Sequence, residues 1–250
     1  MMSRPPRILA IAGSDSSGGA GIQADIKTVT MLGGYAMTAI TALTAQNSRG
    51  VRSVEVMSPE FVAAQMDACM EDIGVDAVKI GMLGSADIAE VVADRLEDLP
   101  CPIIFDPVMV ATSGSVLADP ATIEVFEWLM DLATLTTPNV PELEALGGSR
   151  GMAERNIAYL AKGGDADGPM VEDRLVRPGA GDTVWTEARI VTKHTHGTGC
   201  TLSSAIASHL ARGLPLEEAV AESRKFVREA LKNAPGFGFG NGPLGHQAVR

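Results

Sequence analysis

Residues 8–32, ILAIAGSDSSGGAGIQADIKTVTML, decide the fold. The run Ile8–Ala12 is apolar and of strand length, which is typical of a buried strand. After the glycines, apolar residues recur at helical spacing at Ile22, Ile26, Val29 and Leu32. A buried strand that turns through glycines directly into a helix is the building unit of parallel sheets with helical crossovers. The stretch therefore predicts an α/β fold.

The same alternation of strand and helix continues along the chain. Further strands are predicted at Tyr35–Leu43, Ala77–Ile80, Ile103–Phe105 and Leu135–Thr137. Helices are predicted to begin at Ser58-Pro59, Ser85 and Asp119-Pro120, where capping side chains or proline mark a helix start. We expect a mostly parallel central sheet with helices on both faces, and a ligand site beyond the carboxyl ends of its strands. The Gly- and Asp-rich segment 163–182 is predicted to be a loop.

Composition limits the class of protein. The 250 residues are 46% apolar and 20% charged, which suits one folded domain over residues 1–250, with a Gly-rich tail from 235 to 250 expected to be mobile. The net charge of −11 argues against nucleic-acid and anionic-membrane partners, because both require a basic face. Three widely spaced cysteines without a CxxC pair, and an amino-terminal apolar run too short for a signal peptide, favour the cytoplasm.

Two Gly-rich stretches lie where anions could bind. Residues 13–25, GSDSSGGAGIQAD, match neither the P-loop nor the dinucleotide fingerprint, so this stretch alone is equally typical of an ordinary tight turn. In HTHGTGCTLSSAIASHLARG, residues 194–213, the glycines 197 and 199 flank Thr198 and expose N–H groups at a helix start, which suits a phosphate. Cys200 lies in the first turn, where a helix lowers a thiol's pKa, so its thiolate could accept a proton from a substrate hydroxyl. A plain helix start with a buried cysteine is an equally good interpretation.

Charged side chains follow several predicted strands. Asp106 and Glu142 could hold Mg²⁺ directly or through water, although a helix cap or a solvated position is commoner for either residue alone. Lys162 precedes two glycines and could bind phosphate, although most lysines lie on the surface. The GAGD sequence at 179–182 resembles the base motif of sugar kinases. Because a strand-like segment follows it rather than a small-residue helix, Asp182 is interpreted as a turn residue.

Taken together, these blocks resemble the hydroxymethylpyrimidine / hydroxymethylpyrimidine-phosphate kinases of thiamine biosynthesis, which belong to the ribokinase-like superfamily. The resemblance extends in order over most of residues 7–212. It is carried by AIAGSDSSGGAGIQADIKT, ITALTAQNSRGV, VKIGML, DPVMVATSG, TPNVPELEAL and TKHTHGTGCTLSSAIA.

The resemblance implies a three-layer ribokinase-like fold, a homodimer, and ATP with Mg²⁺. For the pyrimidine pocket it implies Gly13, Asp25, Gln46, Met82 and Val108. A glutamine amide offers both a donor and an acceptor to an aminopyrimidine edge. For catalysis the resemblance implies Cys200 and the anion site Gly197–Gly199. It places Asp106 and Glu142 near Mg²⁺, and Lys162, Asn139 and Thr195 near the ATP phosphates.

The chain departs from the family pattern on the nucleotide side. The segment between Glu142 and Lys162 is short, with room for one short helix, and Asp165 stands where the family usually has histidine. Two alternatives to the pyrimidine kinase therefore stay open. One is a pyridoxal or pyridoxine kinase, because related enzymes accept that ring. The other is a non-catalytic pyrimidine-binding or regulatory protein.

Overall fold

The computed structural model describes residues 4–110, 114 and 116–249, and within them the chain forms nine β-strands and eight α-helices. The strands are β1 (Arg7–Asp15), β2 (Tyr35–Asn47), β3 (Gly50–Val56), β4 (Ala77–Ile80), β5 (Ile103–Phe105), β6 (Leu135–Thr136), β7 (Tyr159–Ala161), β8 (Met170–Val176) and β9 (Thr183–Ala188). The helices are α1 (Gly21–Met31), α2 (Pro59–Ala68), α3 (Ala86–Leu96), α4 (Pro120–Leu132), α5 (Val140–Ala145), α6 (Gly148–Arg155), α7 (Thr198–Leu210) and α8 (Leu216–Lys232). Residues 111–113 of the DPVMVATSG block lie outside the described residues.

One sheet joins all of these strands in the order β3-β2-β1-β4-β5-β6-β7-β8-β9. The strands from β2 to β7 in this order are parallel, whereas β3, β8 and β9 pair antiparallel with their neighbours. The predicted α/β class with a mostly parallel sheet is confirmed.

The sheet is the middle of three layers. Along β1, Leu9 and Ile11 belong to one apolar cluster and Ile8 to the other, as expected for a strand whose side chains alternate between faces. The first cluster packs against α2, α3 and α4, and the second against α1, α7 and α8. Strands covered on both faces are nearly all apolar, which is why β1, β4 and β5 could be recognised from the sequence.

The predicted helix starts are capped as their sequences indicate. The hydroxyls of Ser58 and Ser85 accept hydrogen bonds from the N–H groups of Phe61 and Ile88. The carboxylate of Asp119 accepts one from Thr122. These caps satisfy amide groups that the helix itself leaves without a partner. Helix α2 continues beyond Ala68 as a π-helical turn, Cys69–Ile73, so its predicted end near Ile73 agrees with the structure.

The prediction of a loop over residues 163–182 is wrong, because β8 lies inside that segment. Asp173 points inward from β8 and forms a buried ion pair with Arg224, Oδ2 to Nε 2.7 Å. A carboxylate on the buried face interrupts the apolar alternation that would otherwise have identified the strand. Asp182 precedes β9 at the end of the connection from β8, which agrees with its interpretation as a turn residue.

The tail over residues 235–250, which is expected to be mobile, is exposed at residues 236–239 but packed further along. Leu244 and His246 are 3% and 1% exposed, so this segment is packed into the protein. The N–H of Gly245 donates to the carbonyl of Ala230 at 2.9 Å. The N–H of His196 donates to the carbonyl of Gly242 at 3.1 Å. The residues after α8 therefore support the segment that leads into α7. Across the described residues, no helix combines the length and apolar character that a membrane span requires.

Candidate active site

A cavity of about 870 Å³ lies at the carboxyl ends of the parallel strands. It brings together thirteen of the fourteen predicted site residues, which are Gly13, Gln46, Met82, Asp106, Val108, Asn139, Glu142, Lys162, Thr195, Gly197, Thr198, Gly199 and Cys200. Asp25 is the exception. The roles assigned to these residues stay predictions. Their convergence at the carboxyl ends of the strands agrees with the site that the sequence predicts.

Glycine at position 13 allows the end of β1 to approach its neighbours closely. A β-carbon on Gly13 would lie 2.3 Å from Cε of Met82, and the pairing of β1 with β2 is irregular between Ala12 and Ser14. Gly21 has a φ of +54°, and a β-carbon there would lie 2.2 Å from the carbonyl oxygen of Gly13. The turn therefore requires glycine at position 21, whereas a β-carbon at position 13 would meet only the movable end of the Met82 side chain.

The loop between these glycines is organised by Asp15, which is buried. Its Oδ1 accepts hydrogen bonds from the N–H and hydroxyl of Ser17, and its Oδ2 accepts them from the N–H groups of Gly19 and Ala20. The side chain of His196 adds a contact to Oδ2 at 2.8 Å. Burial opposes ionisation of Asp15, but the hydrogen bonds from His196, Ser17 and Ala20 outweigh it and lower the pKa to about 2.

The start of α7 packs directly against this loop. Gly197 caps the helix with a φ of +90°, and a β-carbon on it would lie 1.9 Å from the carbonyl oxygen of Gly19. The N–H of Thr198 donates to the carbonyl of Thr195 at 3.2 Å. Among the described residues, the N–H groups of Gly199 and Cys200 have no acceptor, and they lie at the positive end of a 13-residue helix. This is the arrangement that binds anions at helix starts.

Lys162 lies between the two predicted metal ligands. Its Nζ is 2.7 Å from Oδ1 of Asp106 and 3.8 Å from Oε2 of Glu142. A β-carbon on Gly199 would lie 3.4 Å from both Nζ of Lys162 and Oδ2 of Asp106, so this charged cluster adjoins the helix start. The structure therefore places the predicted phosphate and metal groups together.

The two carboxyl groups differ in pKa. Burial raises the pKa of Glu142 to about 7, because the opposing effect of Lys162 is partly cancelled by the negative charges of Asp106 and Asp165. Asp106 is also buried, but the positive charges of Lys162 and Lys79 lower its pKa. Asp165, which replaces the family's usual histidine, therefore adds to the negative charge that acts on Glu142.

These residues suit Mg²⁺. Two carboxylates supply the hard oxygen ligands that it prefers, and a divalent cation would neutralise the negative charge of Asp106 and Asp165 that adds to burial in raising the pKa of Glu142. One oxygen of Glu142 is already occupied, since Oε2 accepts a hydrogen bond from the N–H of Asn139 in a capping box. Within the described part of the chain no three acidic, histidine or cysteine side chains cluster as a metal site. Water and substrate phosphate oxygens would have to complete the coordination.

The prediction of a lowered pKa for Cys200 is wrong. Burial and the nearby carboxylates of Asp25 and Asp106 raise the pKa of its thiol to about 11, against the opposing effects of Lys79 and of the Gly21 N–H. The start of α7 is electropositive, as the sequence indicates, but burial, reinforced by the negative charges of Asp25 and Asp106, outweighs it. These charges come from residues distant in sequence, so no local motif shows them.

Asp25 does not line the cavity, which corrects its predicted place in the pyrimidine pocket. Its carboxylate is fully buried and lies 2.9 and 3.0 Å from Nζ of Lys79, and it accepts a hydrogen bond from the hydroxyl of Ser204 at 2.7 Å. Asp25 thus connects α1, β4 and α7 behind the cavity wall.

Gln46 lies at the end of β2 and is tied to the Asp15 loop. The hydroxyl of Ser16 donates to the carbonyl of Gln46 at 3.0 Å and accepts from its N–H at 2.9 Å. The side-chain amide contacts Thr44 at 3.1 Å and the ring of His196 at 3.2 Å. Sequence reasoning did not single out His196, although it lies in the quoted HTHGTGC stretch.

A further group of cavity-lining residues could not be identified from the sequence. They are Arg189, Ile190, Val227, Arg228 and Leu231, from the segment after β9 and from α8. Asp173, which also lines the cavity, accepts hydrogen bonds from Arg224 at 2.7 Å and from the N–H of Gly163 at 3.0 Å, which anchors the turn after Lys162. Basic and apolar residues at helical spacing are typical of any amphipathic surface helix, so α8 carried no distinctive signal.

Comparisons with known proteins agree with the family resemblance. The family model described as phosphomethylpyrimidine kinase matches residues 15–245. A hydroxymethylpyrimidine/phosphomethylpyrimidine kinase of Rhizobium meliloti is 44% identical, over 95% of this chain and 96% of its own length. A thiamine biosynthesis bifunctional protein of Geobacter sulfurreducens is also 44% identical, over 96% of this chain but only 52% of that relative, so the chain spans about half of its length.

Among solved structures, an ADP complex of Bacillus subtilis pyridoxal kinase superposes with a TM-score of 0.88 at 33% identity, covering 98% of this chain and 99% of the other. The ribokinase-like fold implied by the resemblance is thereby confirmed. The family model spans nearly the whole chain, and the Rhizobium meliloti relative matches 95% of it. This chain therefore belongs to the phosphomethylpyrimidine kinase family.

Proposed function

We propose that the chain transfers the γ-phosphoryl group of ATP to 4-amino-5-hydroxymethyl-2-methylpyrimidine, and then phosphorylates the resulting monophosphate to the pyrophosphate, in thiamine biosynthesis. The names of the relatives support this activity. The observation that carries it is that one cavity contains both an amide suited to an aminopyrimidine edge, on Gln46, and a helix start beside a buried lysine, at Gly199 and Lys162.

In this proposal the chain's residues act mainly by position and charge, as phosphoryl transfer requires. Gln46 and the backbone of Gly13 hold the ring, with Met82 and Val108 against its faces. The N–H groups of Gly199 and Cys200 and the ammonium of Lys162 receive the phosphoryl oxygens, with Asn139 and Thr195 beside the ATP phosphates. The thiolate of Cys200, formed when the thiol releases its proton to solvent, accepts the proton of the substrate hydroxyl, and the raised pKa of the thiol makes this thiolate a strong base.

Asp106 and Glu142 would hold Mg²⁺, which neutralises charge on the phosphates when it is bound. Asp106 is ionised in its surroundings, because Lys162 and Lys79 lower its pKa. The pKa of about 7 for Glu142 means that this ligand loses its proton near neutral pH.

We propose a homodimer and a cytoplasmic location on more limited grounds. The homodimer rests on the family resemblance, and sedimentation would test it. The cytoplasm is supported by Cys69, Cys101 and Cys200, which are all free thiols, because reducing compartments keep cysteines in that state.

Pyridoxal kinase is the second candidate, because the Bacillus subtilis structure of that name is so similar in fold. A coupled ADP-release assay with Mg-ATP separates the candidates by comparing hydroxymethylpyrimidine, its monophosphate and pyridoxal. We expect turnover of the first two well above that of pyridoxal. A preference for pyridoxal would move the chain to the second candidate. Absence of turnover with all three, while calorimetry still detects pyrimidine binding, would favour a non-catalytic binding protein.

A further inference from the structure

His196 connects two parts of the cavity wall. Its Nε2 lies 2.8 Å from Oδ2 of Asp15 and 3.2 Å from the nitrogen end of the Gln46 side-chain amide. The ring is buried, at 6% exposure, and His196 lies two residues before the start of α7 at Thr198. A single ring nitrogen therefore faces both the carboxylate that organises the Asp15 loop and the amide proposed to hold the pyrimidine.

The contact with Asp15 determines which ring nitrogen carries hydrogen. The Asp15 carboxylate accepts four hydrogen bonds from Ser17, Gly19 and Ala20 in addition to the histidine contact. An ionised carboxylate is only an acceptor, so Nε2 of His196 must be the donor in this pair. Nε2 therefore carries a hydrogen whichever state the other ring nitrogen adopts.

This hydrogen conflicts with the NH₂ group of Gln46, because two donors would face each other. A second conflict lies on the opposite side of the amide. The hydroxyl of Thr44 has one hydrogen, yet it faces both the carbonyl of Ser14 at 2.9 Å and Oε1 of Gln46 at 3.1 Å. Turning the amide by 180° removes the contact between two donors and lets the Thr44 hydroxyl donate to Ser14 alone. The Nε2 hydrogen is then shared between the Asp15 carboxylate and the amide oxygen, which costs less than two donors facing each other. The two ends of the amide are so similar in shape that hydrogen bonding decides between the orientations.

We infer that His196 is a positioning residue that fixes the polarity of the Gln46 amide, with the oxygen on the His196 side and the NH₂ group on the Thr44 side. In this orientation the Nε2 hydrogen of His196 is shared between Asp15 and the amide oxygen, and the NH₂ group donates to the Thr44 hydroxyl, which donates to Ser14. The edge of the amide that remains has one lone pair and one N–H. A ligand must match it with a donor on the His196 side and an acceptor on the Thr44 side.

The consequence for specificity rests on the proposed function. An aminopyrimidine presents an exocyclic N–H beside a ring nitrogen, which is the pattern that this edge accepts. A 4-oxo analogue presents the reverse pattern, an acceptor beside a ring N–H. Because the amide cannot turn without losing its bonds to His196 and Thr44, the site should reject the reversed pattern. A site built for one hydrogen-bonding pattern discriminates strongly against groups that leave its polar atoms without partners.

The orientation can be tested without any ligand. In protein labelled with ¹⁵N-histidine, NMR should show His196 with a proton on Nε2 at neutral pH. The Asp15→Asn variant is the control, since an amide can face the ring with either end and the preference should weaken. An Nε2 without a proton in the wild type would overturn the inference, whatever the activity of the protein.

The specificity is tested by calorimetry with hydroxymethylpyrimidine and its 4-oxo analogue. We expect the wild type to prefer the amino compound by about 100-fold. His196→Leu should reduce this preference below about tenfold, whereas His196→Gln, whose NH₂ group can replace the Nε2 donor, should retain most of it. Thr44→Val removes the acceptor on the other side and should also reduce the preference, with Thr44→Ser as its matched control.

A double-mutant cycle separates positioning from a general effect on the fold. In a Gln46→Leu background, His196→Leu should change pyrimidine affinity by less than threefold, because its effect passes through the amide. Full preference in His196→Leu, or an undiminished effect in the Gln46→Leu background, would overturn the inference. If His196→Leu does not fold, the two Thr44 variants decide the point. A wild type that binds neither compound would overturn the proposed function, and the NMR result would then stand as the separate test of the orientation.

Discussion

Nζ of Lys79 lies 2.9 Å from Oδ1 of Asp25, and both side chains are completely inaccessible to solvent. Burial alone would lower the pKa of Lys79, but the neighbouring negative charges, led by Asp25, raise it above its ordinary value. Lys79 therefore keeps its positive charge in the protein interior, behind Cys200. Removing one partner leaves the other charge buried and unpaired.

Asp25→Asn should lower the free energy of unfolding by about 3–5 kcal/mol, because Lys79 loses its counter-charge. The pyrimidine KM should stay within about threefold of the wild type, since Asp25 does not line the cavity. Urea unfolding and steady-state kinetics measure the two effects. As a control, Asp25→Asn combined with Lys79→Met should be more stable than the single Asp25 variant. A large rise in KM with unchanged stability would return Asp25 to the pyrimidine pocket.

Cys200→Ala should lower kcat by about two orders of magnitude if the thiol accepts the substrate proton. Cys101→Ala is the matched control, because burial also raises the pKa of that thiol to about 11 but it does not line the cavity. Steady-state kinetics of both variants would decide, and a loss of less than threefold in Cys200→Ala would remove the proposed role.

The reactivity of Cys200 should depend steeply on pH. A thiol with a pKa of about 11 is almost fully protonated at pH 7, and only the thiolate is alkylated. The rate of iodoacetamide labelling at Cys200 should therefore rise about tenfold per pH unit between pH 7 and 9, measured peptide by peptide in the mass spectrometer. A rate already at its plateau at pH 7 would show that the start of α7 dominates after all.

Glu142 should make the metal-free protein less stable as pH rises. Its pKa is raised from 4.5 to about 7 in the folded chain, so between these values the folded state keeps a proton that the unfolded state has released. Stability then falls with pH, by at most about 1.4 kcal/mol per pH unit for one such group. The loss is complete above pH 7 and absent below pH 4.5.

Glu142→Gln isolates this contribution, since glutamine preserves the capping box with Asn139. Urea unfolding at pH 5 and pH 8 in EDTA should show that the wild type loses more stability than the variant over this range. Added Mg²⁺ at pH 8 should then stabilise the wild type more than the variant. Parallel pH profiles for the two proteins would contradict the raised pKa.

Asp182→Ala should leave kcat within about twofold of the wild type. Asp182 lies between β8 and β9, and its contact with Arg174, at 3.4 Å, joins two side chains that are both well exposed. Exposed pairs contribute at most about 1 kcal/mol, so stability should also change little. Collapse of activity in this variant would identify the GAGD motif as the true base site.

The centre of the fold could be predicted because it depends on local patterns. Strands β1, β4 and β5 are buried on both faces and are therefore continuous apolar runs, and serine and aspartate caps mark the helices between them. Strands β3 and β8 escaped prediction for the opposite reason, whereas the strand-like segment after Asp182 is β9. All of β3 is exposed or half-buried, so it carries no burial pattern, and Asp173 interrupts the pattern of β8.

The site likewise has features that local motifs predict and features that they do not. Thirteen residues converge as the resemblance implies, because the motifs follow strand ends that the parallel sheet brings together. The pKa of Cys200 depends instead on burial and on the charges of Asp25, Lys79 and Asp106. These residues lie in α1, in β4 and just after β5, and they meet only in the folded protein. The same contacts determine the position of Asp25. The partnership of His196 with Asp15 and Gln46 likewise joins residues from opposite ends of the chain.

The close approach of Gly197 to the carbonyl of Gly19 has a consequence for protein synthesis. The loop after β1 is translated well before the helix start that it contacts and before the segment near Gly242 that supports this helix start. A nascent chain can assemble β1, β2 and β4 with their helices long before any phosphate-binding surface exists. A ligand that binds at this helix start can therefore stabilise the chain only after α7 has been translated.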